Sequence, residues 1–388
     1  MEIYNKIKIH KTKEQNGEKH YIIECNKRFY KSTHNLVQLI TLLQVCQDHE
    51  SAILQYIQQT KYKYTTDEII HVIKNNIDPL VLENEHHKTR NFLFQREIIP
   101  SNKLYKISSK LKYLFYYKWM YPFIILSILL DLFFMITLCN KTTTLQTNIY
   151  TLLAIFAFTL FSTFIHEIGH ASACSFFGIK HGGIGFGLYL NFPLLYTDVT
   201  RAWLLNTKKR FIINIAGIYF QLYILDILLI LYFFHENDIV FYLILITNLG
   251  FIMTLNPFFK FDGYWILSDL TNTPNLQDVS KRLFRSILKK ERKQTFLNNK
   301  KKIFLLSYYV FTNAITLFYV LYIIPIFTYS FIKELSGKIN MLKLLSQNDN
   351  LTIEIVTSFT IECCFILFTI FYFVMFFIQI LKKNRRKT

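Results

Sequence analysis

The sequence lacks the marks of a secreted or disulfide-built protein. Its first 25 residues, MEIYNKIKIHKTKEQNGEKHYIIEC, carry charges throughout and contain no long apolar core. No cleaved signal peptide is therefore expected, and the N-terminus is expected in the cytosol. Six cysteines (Cys25, Cys46, Cys139, Cys174, Cys363 and Cys364) fall at no paired spacing, and at least three lie in apolar stretches. They read as small hydrophobes rather than bridges. Internal repeats and low-complexity tracts are absent as well. Charge is sparse, 18% of 388 residues against 52% hydrophobic and 17% aromatic, which excludes an ordinary soluble domain. What remains is a multi-spanning membrane protein with an appended soluble part. The formal charge of +18 would suit nucleic acid, but Lys and Arg concentrate beside the apolar runs, where they orient a membrane protein. No nucleic-acid partner is expected.

The chain divides near residue 118. Before it, "YIIECNKRFYKSTHN" alternates like strands, while "LVQLITLLQVCQ" and "HESAILQYIQQT" repeat apolar residues at helical spacing. "TTDEIIHVIKNNI" opens with a Thr-Asp cap before a third amphipathic helix. Residues 1–90 thus form a small α+β domain, and 91–118, rich in Lys and Arg, a basic linker. The membrane part is 119–388.

Six apolar runs are long enough to span a bilayer, at about 119–139, 148–177, 211–234, 239–257, 303–332 and 351–380. The linker, "TKKR", "KRLFRSILKKERKQTFLNNKKK" and the tail "LKKNRRKT" fall on one side, "NKTTTLQT", "HEND" and 333–350 on the other. The positive-inside rule then places both termini in the cytosol.

The second run ends in "FIHEIGHASACSFFG", with two histidines, a glutamate and a cysteine where only apolar side chains belong. Intramembrane polarity of this kind marks a functional site. His166 lies roughly 27 Å down the span at 1.5 Å per residue, in the cytosolic third of the bilayer. His166 and His170 share one helix face and can grip one divalent metal, with Glu167 placed as a general base on water. A hydrolytic zinc site needs a third protein ligand and one open position. Cys174 continues the same face, but three ligands stacked along one helix span about 12 Å, too long for one ion. Asp131 and Asp226 lie within the first and third spans, where interhelical hydrogen bonding is the alternative role. Asp198 sits in the loop after the motif, and Asp269 follows Asp262 by two helical turns. Asp262, in "LNPFFKFDGYWILSDL", is the best placed, because Asn256 and Pro257 break the fourth span at membrane depth. The glycine-rich "GIKHGGIGFGLYLNFP" is either a membrane-embedded hairpin that guides a peptide as an edge strand or a flexible connection, and His181 within it is not expected to bind metal.

Four stretches in this order, "FIHEIGHASACSFFG", "FPLLYTDVTRAWLL", "RFIINIAGIYFQL" and "LNPFFKFDGYWILSDLTNTPNL", resemble the site-2 protease family of intramembrane zinc metalloproteases. The resemblance is closest to its peptide zinc metalloprotease branch, which accompanies bacterial peptide-maturation clusters, and it covers about residues 148–280. It implies that His166, His170 and Asp262 coordinate one zinc ion and that Glu167 activates water. It also implies that Asn256 lies beside the substrate strand, with Pro257 and Gly263 as further substrate-binding residues. Two departures stand out. Phe261 replaces the family's usual Leu before Asp-Gly, and the third-span motif, often Ala-Gly-Pro followed by Glu, reads "AGIYFQ".

Residues 1–90 resemble the small winged-helix-like domains that bind leader peptides of ribosomally made, modified peptides. The resemblance implies β-augmentation by an extended substrate; a plain regulatory or folding domain is the other reading. The expected architecture is a multi-spanning α-helical membrane protein of about six transmembrane helices with a small N-terminal cytosolic α+β domain. Its expected activity is zinc-dependent cleavage of a peptide or membrane-associated precursor in a bacterial cytoplasmic membrane, with peptide-modifying enzymes or an export ATPase as companions. The rival from another class is a non-proteolytic exporter or immunity component with a structural metal site. Gating charges or inverted repeats, which would favour transport, are not evident.

The topology is testable by thiol labelling. Cysteines introduced at position 290 and in the tail should resist a membrane-impermeant thiol reagent applied outside intact cells, and labelling at either position would exclude the six-span arrangement.

Overall fold

The structure, a computed structural model, describes residues 2–318 apart from 14–18, 27, 47, 83–91, 139–148, 190–191 and 290–297, together with scattered positions from 321 to 340. Most of the chain is helical. It divides into two compact units, one formed by residues 1–116 and 167–216, the other by 117–166 and 217–388.

The first unit begins with a three-stranded antiparallel sheet, β1 (Lys8–Lys13), β2 (Lys19–Cys25) and β3 (Arg28–Ser32), in that order. Helices α1 (His34–Val45), α2 (His49–Gln59) and α3 (Thr66–Val72) follow; α3 runs on through a π-helical turn, Ile73–Ile77, into α4 (Asp78–Leu82). Side chains of Thr33 and Asp48 cap the first two helices, and Thr65 with Glu68 forms a capping box on the third. Each cap supplies acceptors that the first helical turn cannot provide for itself. Ile23, Leu39, Ile40, Leu43, Ala52 and Ile77 make the core, all at most 2% exposed. The three helices lie where the apolar spacing predicts them. Strand β1 was not expected: "KIHKTK" alternates lysine with little that is apolar, the composition of an edge strand protected from further pairing.

Within 91–118 the chain forms strand β4 (Phe92–Ile99) and helix α5 (Ser101–Leu111), ending in a 3₁₀ turn, Lys112–Phe115. β4 pairs antiparallel with β5 (Ile184–Tyr189), which forms a hairpin with β6 (Phe192–Thr197). The glycine-rich stretch is thus a β-hairpin and not a flexible connection. Two of the glycines in the stretch are explained by packing. A Cβ at Gly183 would collide with the Ile99 carbonyl and the Glu97 carboxylate, and one at Gly185 with the Tyr196 ring.

Among the described residues, three helices are long and apolar enough to cross a membrane: α6 (Tyr117–Thr137), α7 (Ile149–Phe176) and α8 (Thr207–Phe234). In the second unit a buried apolar core that includes Leu225 and Ile244 is surrounded by large apolar side chains that face outward. Leu129, Phe133, Ile136, Phe156 and Ile230 are exposed, whereas Ser127, Ser162 and Thr247 are buried. Lipid tails replace water as the surrounding medium in such a bundle, and polar side chains turn inward. α9 (Asp238–Thr254), at 17 residues, is a shorter apolar helix, and α10 (Asp262–Leu270), α11 (Leu276–Leu288) and α12 (Asn299–Phe318) follow. α12 covers part of the fifth expected span; the sixth, 351–380, lies outside the described residues.

Candidate metal centre

The metal-binding motif sits near the C-terminal end of α7, where His166, Glu167 and His170 are each less than 9% exposed. Each imidazole is oriented by a second residue. His170 Nδ1 lies 2.7 Å from the Ile213 carbonyl. A carbonyl only accepts, so Nδ1 carries the proton and Nε2 is the basic nitrogen of the neutral ring. His166 Nδ1 lies 3.0 Å from Gln221 Oε1, and Gln221 Nε2 donates to Ser162 Oγ at 2.9 Å, which turns the amide oxygen toward the imidazole. The other nitrogen of that ring, Nε2, is 3.0 Å from Asp262 Oδ2.

Both His166 nitrogens therefore face acceptors, and a neutral imidazole has one proton to give. A metal ion at Nε2, or a second ring proton donated to the carboxylate, would answer that contact. Candidate ligand atoms of His166, His170 and Asp262 lie within 4.8 Å of one another. The ligand edge of a tetrahedral zinc site is about 3.3 Å for bonds near 2.05 Å, so the donor set is of the right kind for zinc and its atoms would draw together by up to about 1.5 Å to bind one ion. These three residues could hold the ion, and Glu167 is buried beside His166 in the same helix.

The backbone around Asp262 is built by the break after α9. Asn256 Oδ1 accepts from the Phe258 amide at 2.9 Å, Tyr308 Oη donates to the Pro257 carbonyl at 2.8 Å, and Gln277 Nε2 donates to the Phe258 carbonyl at 2.8 Å. A Cβ at Gly263 would overlap the Leu255 backbone, so glycine lets the chain fold back on itself there. Asp262 emerges as the first residue of α10, where the helix dipole favours a carboxylate.

The other candidates are engaged elsewhere. Asp131 accepts from Asn248 at 3.0 Å and Asp226 from Ser127 at 2.5 Å, both across helices. Asp198 accepts from the Thr200 amide and hydroxyl, and Asp269 is buried within α10. Cys174 is fully buried as packing; Cys25, Cys46 and Cys174 are free thiols. His181 spans Ser108 Oγ (2.9 Å) and the Gly182 carbonyl (2.7 Å), and burial holds its imidazole below the usual histidine range while the Gly182 contact works the other way.

Two supporting residues were not legible as such. In "AGIYFQ", a Cβ at Gly217 would overlap the His166 ring, and Gln221, one turn further along α8, holds the same ring by hydrogen bonding. The departure from the family pattern at this point thus falls on a direct neighbour of a candidate ligand. A glycine and an amide four residues apart in an apolar helix are the signal that could have found them.

No family model and no solved structure matches the chain. It is similar to the protein YydH of Bacillus subtilis (strain 168), named "Putative peptide zinc metalloprotease protein", at 24% identity over 211 residues, 53% of this chain and 81% of the relative. A metal, zinc by the relative's name, agrees with the donor set.

Gln221→Leu and Gly217→Ala should each weaken zinc binding by roughly 10- to 100-fold, since they disorient a ligand without removing one. Zinc retention during graded chelator titration measures this; unchanged retention in both would show that His166 is not a ligand.

Proposed function

We propose that the chain is an intramembrane zinc metalloendopeptidase that hydrolyses a peptide bond of a peptide or membrane-associated precursor. The observation that carries the reading is the convergence of two oriented imidazoles and one carboxylate beside a glutamate that the metal does not need. In this reading the protein spans the bilayer about six times, with both termini in the cytosol.

Zinc, when bound, supplies a Lewis acid that polarises a peptide carbonyl and acidifies water. Glu167 takes the proton from the attacking water and delivers it to the amine that leaves as the C–N bond breaks. The substrate must be extended at the site, because helical carbonyls are already hydrogen-bonded and cannot be presented. An edge strand is at hand. β6 pairs on one side only among the described strands, and Thr197 at its end donates to the Glu167 carbonyl at 3.1 Å. A peptide added to β6 would be led toward Glu167. Asn256, Pro257 and Gly263 are the further substrate-side residues of this reading, and residues 1–90 would recruit the precursor, with modifying enzymes or an export ATPase as neighbours.

Glu167→Gln should keep stoichiometric zinc and lose cleavage by several orders of magnitude, whereas His166→Ala, His170→Ala or Asp262→Ala should lose zinc. Metal content by mass spectrometry and precursor cleavage are measured on the same purified proteins. Parental cleavage by Glu167→Gln would leave the non-proteolytic reading with a structural metal. Normal zinc in Asp262→Ala together with loss in Asp131→Ala or Asp226→Ala would reassign the third ligand.

Removing residues 1–82 should raise the KM for the precursor more than it lowers kcat if the N-terminal region recruits substrate. Unchanged constants would leave it a structural role alone.

A further inference from the structure

Between Glu97 and Asp131 the chain carries five lysines and no carboxylate. Three of them, Lys103, Lys106 and Lys110, lie on α5 at positions i, i+3 and i+7 and so share one face. All three are exposed. The opposite face is anchored: Leu104 and Ser108 are fully buried, and Ser108 Oγ contacts Ser175 at 2.8 Å and His181 at 2.9 Å. The helix therefore cannot roll to hide its lysines.

Aromatic residues continue the pattern toward the first membrane helix. Tyr105, Tyr113, Tyr116 and Trp119 are 51–67% exposed, and Lys112 and Lys118 lie over the rings of Tyr113 and Trp119 at 5.2 and 5.5 Å. Exposed Tyr and Trp beside lysine is the composition of the headgroup layer, where amphipathic rings meet polar lipid. Only residues 112–116 separate α5 from α6. Five residues reach at most about 20 Å, so the C-terminal end of α5 is tethered within that distance of the start of α6.

We propose that the lysine face of α5 is a docking surface for anionic phospholipid headgroups of the leaflet that α6 enters. The inference rests on α6 spanning the bilayer and is independent of proteolysis. Retaining a topology requires positive charge near a span but not its alignment on one exposed face of an anchored helix; a phosphate surface uses that alignment.

The full chain is reconstituted in nanodiscs of phosphatidylcholine alone or of phosphatidylcholine with phosphatidylglycerol, and the acylation rate of each lysine by an amine-reactive ester is followed by peptide mass spectrometry. A surface potential near −30 mV raises the local proton concentration roughly threefold, so a lysine at the headgroups should acylate about threefold more slowly in the anionic discs. Lys61, Lys63 and Lys74, exposed lysines of the N-terminal helices, serve as the reference and should not change. Selective slowing at Lys103, Lys106 and Lys110 supports the proposal. Equal rates in the two lipids, or equal slowing at the reference lysines, overturns it. Replacing the three by glutamine should also lower the phosphatidylglycerol that copurifies in detergent, relative to Lys61, Lys63 and Lys74 replaced in the same way; no difference between the two triple variants counts against it.

Discussion

An imidazole buried in an apolar helix must have both nitrogens answered, and the rest of the candidate centre follows from how His166 meets that requirement. Its Nδ1 is answered by Gln221 and its Nε2 faces Asp262, while Gly217 clears the volume the ring occupies. Removing any of these leaves either an unsatisfied polar group in a low-dielectric interior or a ring turned off its axis. His170 solves the same problem differently, with the Ile213 carbonyl. A backbone carbonyl in mid-helix already accepts one bond, yet it has a second lone pair. The two histidines are thus fixed by one side-chain and one main-chain acceptor, both on α8.

That arrangement places demands on backbone geometry that side chains alone could not meet. A carboxylate reaches His166 because α9 ends at Leu255 and the chain turns through Asn256–Phe261 before α10 begins. In a continuous helix Asp262 would need a donor from a neighbouring helix, as Asp131 has in Asn248 and Asp226 in Ser127. The broken segment exposes main-chain groups, and these are answered by Tyr308 and Gln277 from α12 and α11. Irregular backbone at membrane depth is tolerable only when protein supplies such partners.

How much of this could be read from the sequence depends on the range of the contact. The helices α1–α3 were legible because capping and apolar periodicity are local, and His166 with His170 because four residues make one turn. Asp262 was legible through Asn256 and Pro257, which announce the break in the chain. The strands β1 and β4 were not. The first is disguised by its lysines, and the second finds its partner only at residues 184–189, across the whole of α6 and α7. Gln221 was visible as a deviation but not as a contact, since nothing local ties it to a ring 55 residues earlier. Among the described residues three helices meet the length and hydropathy of a membrane span; of the other three expected runs, α9 is shorter, α12 covers part of one, and 351–380 lies outside the described residues.

The carboxylates show why composition alone could not choose among them. Asp131, Asp226 and Asp262 are chemically the same group at similar depth in the sequence pattern, yet two accept from neutral donors, Asn248 and Ser127, and one lies against an imidazole. A neutral donor stabilises a carboxylate without needing anything further. An imidazole whose other nitrogen is already committed to an amide oxygen does not, because the pair lacks a proton or a cation between them. The case for Asp262 as a candidate ligand therefore draws on Gln221 as well, whose amide oxygen takes the other nitrogen of His166.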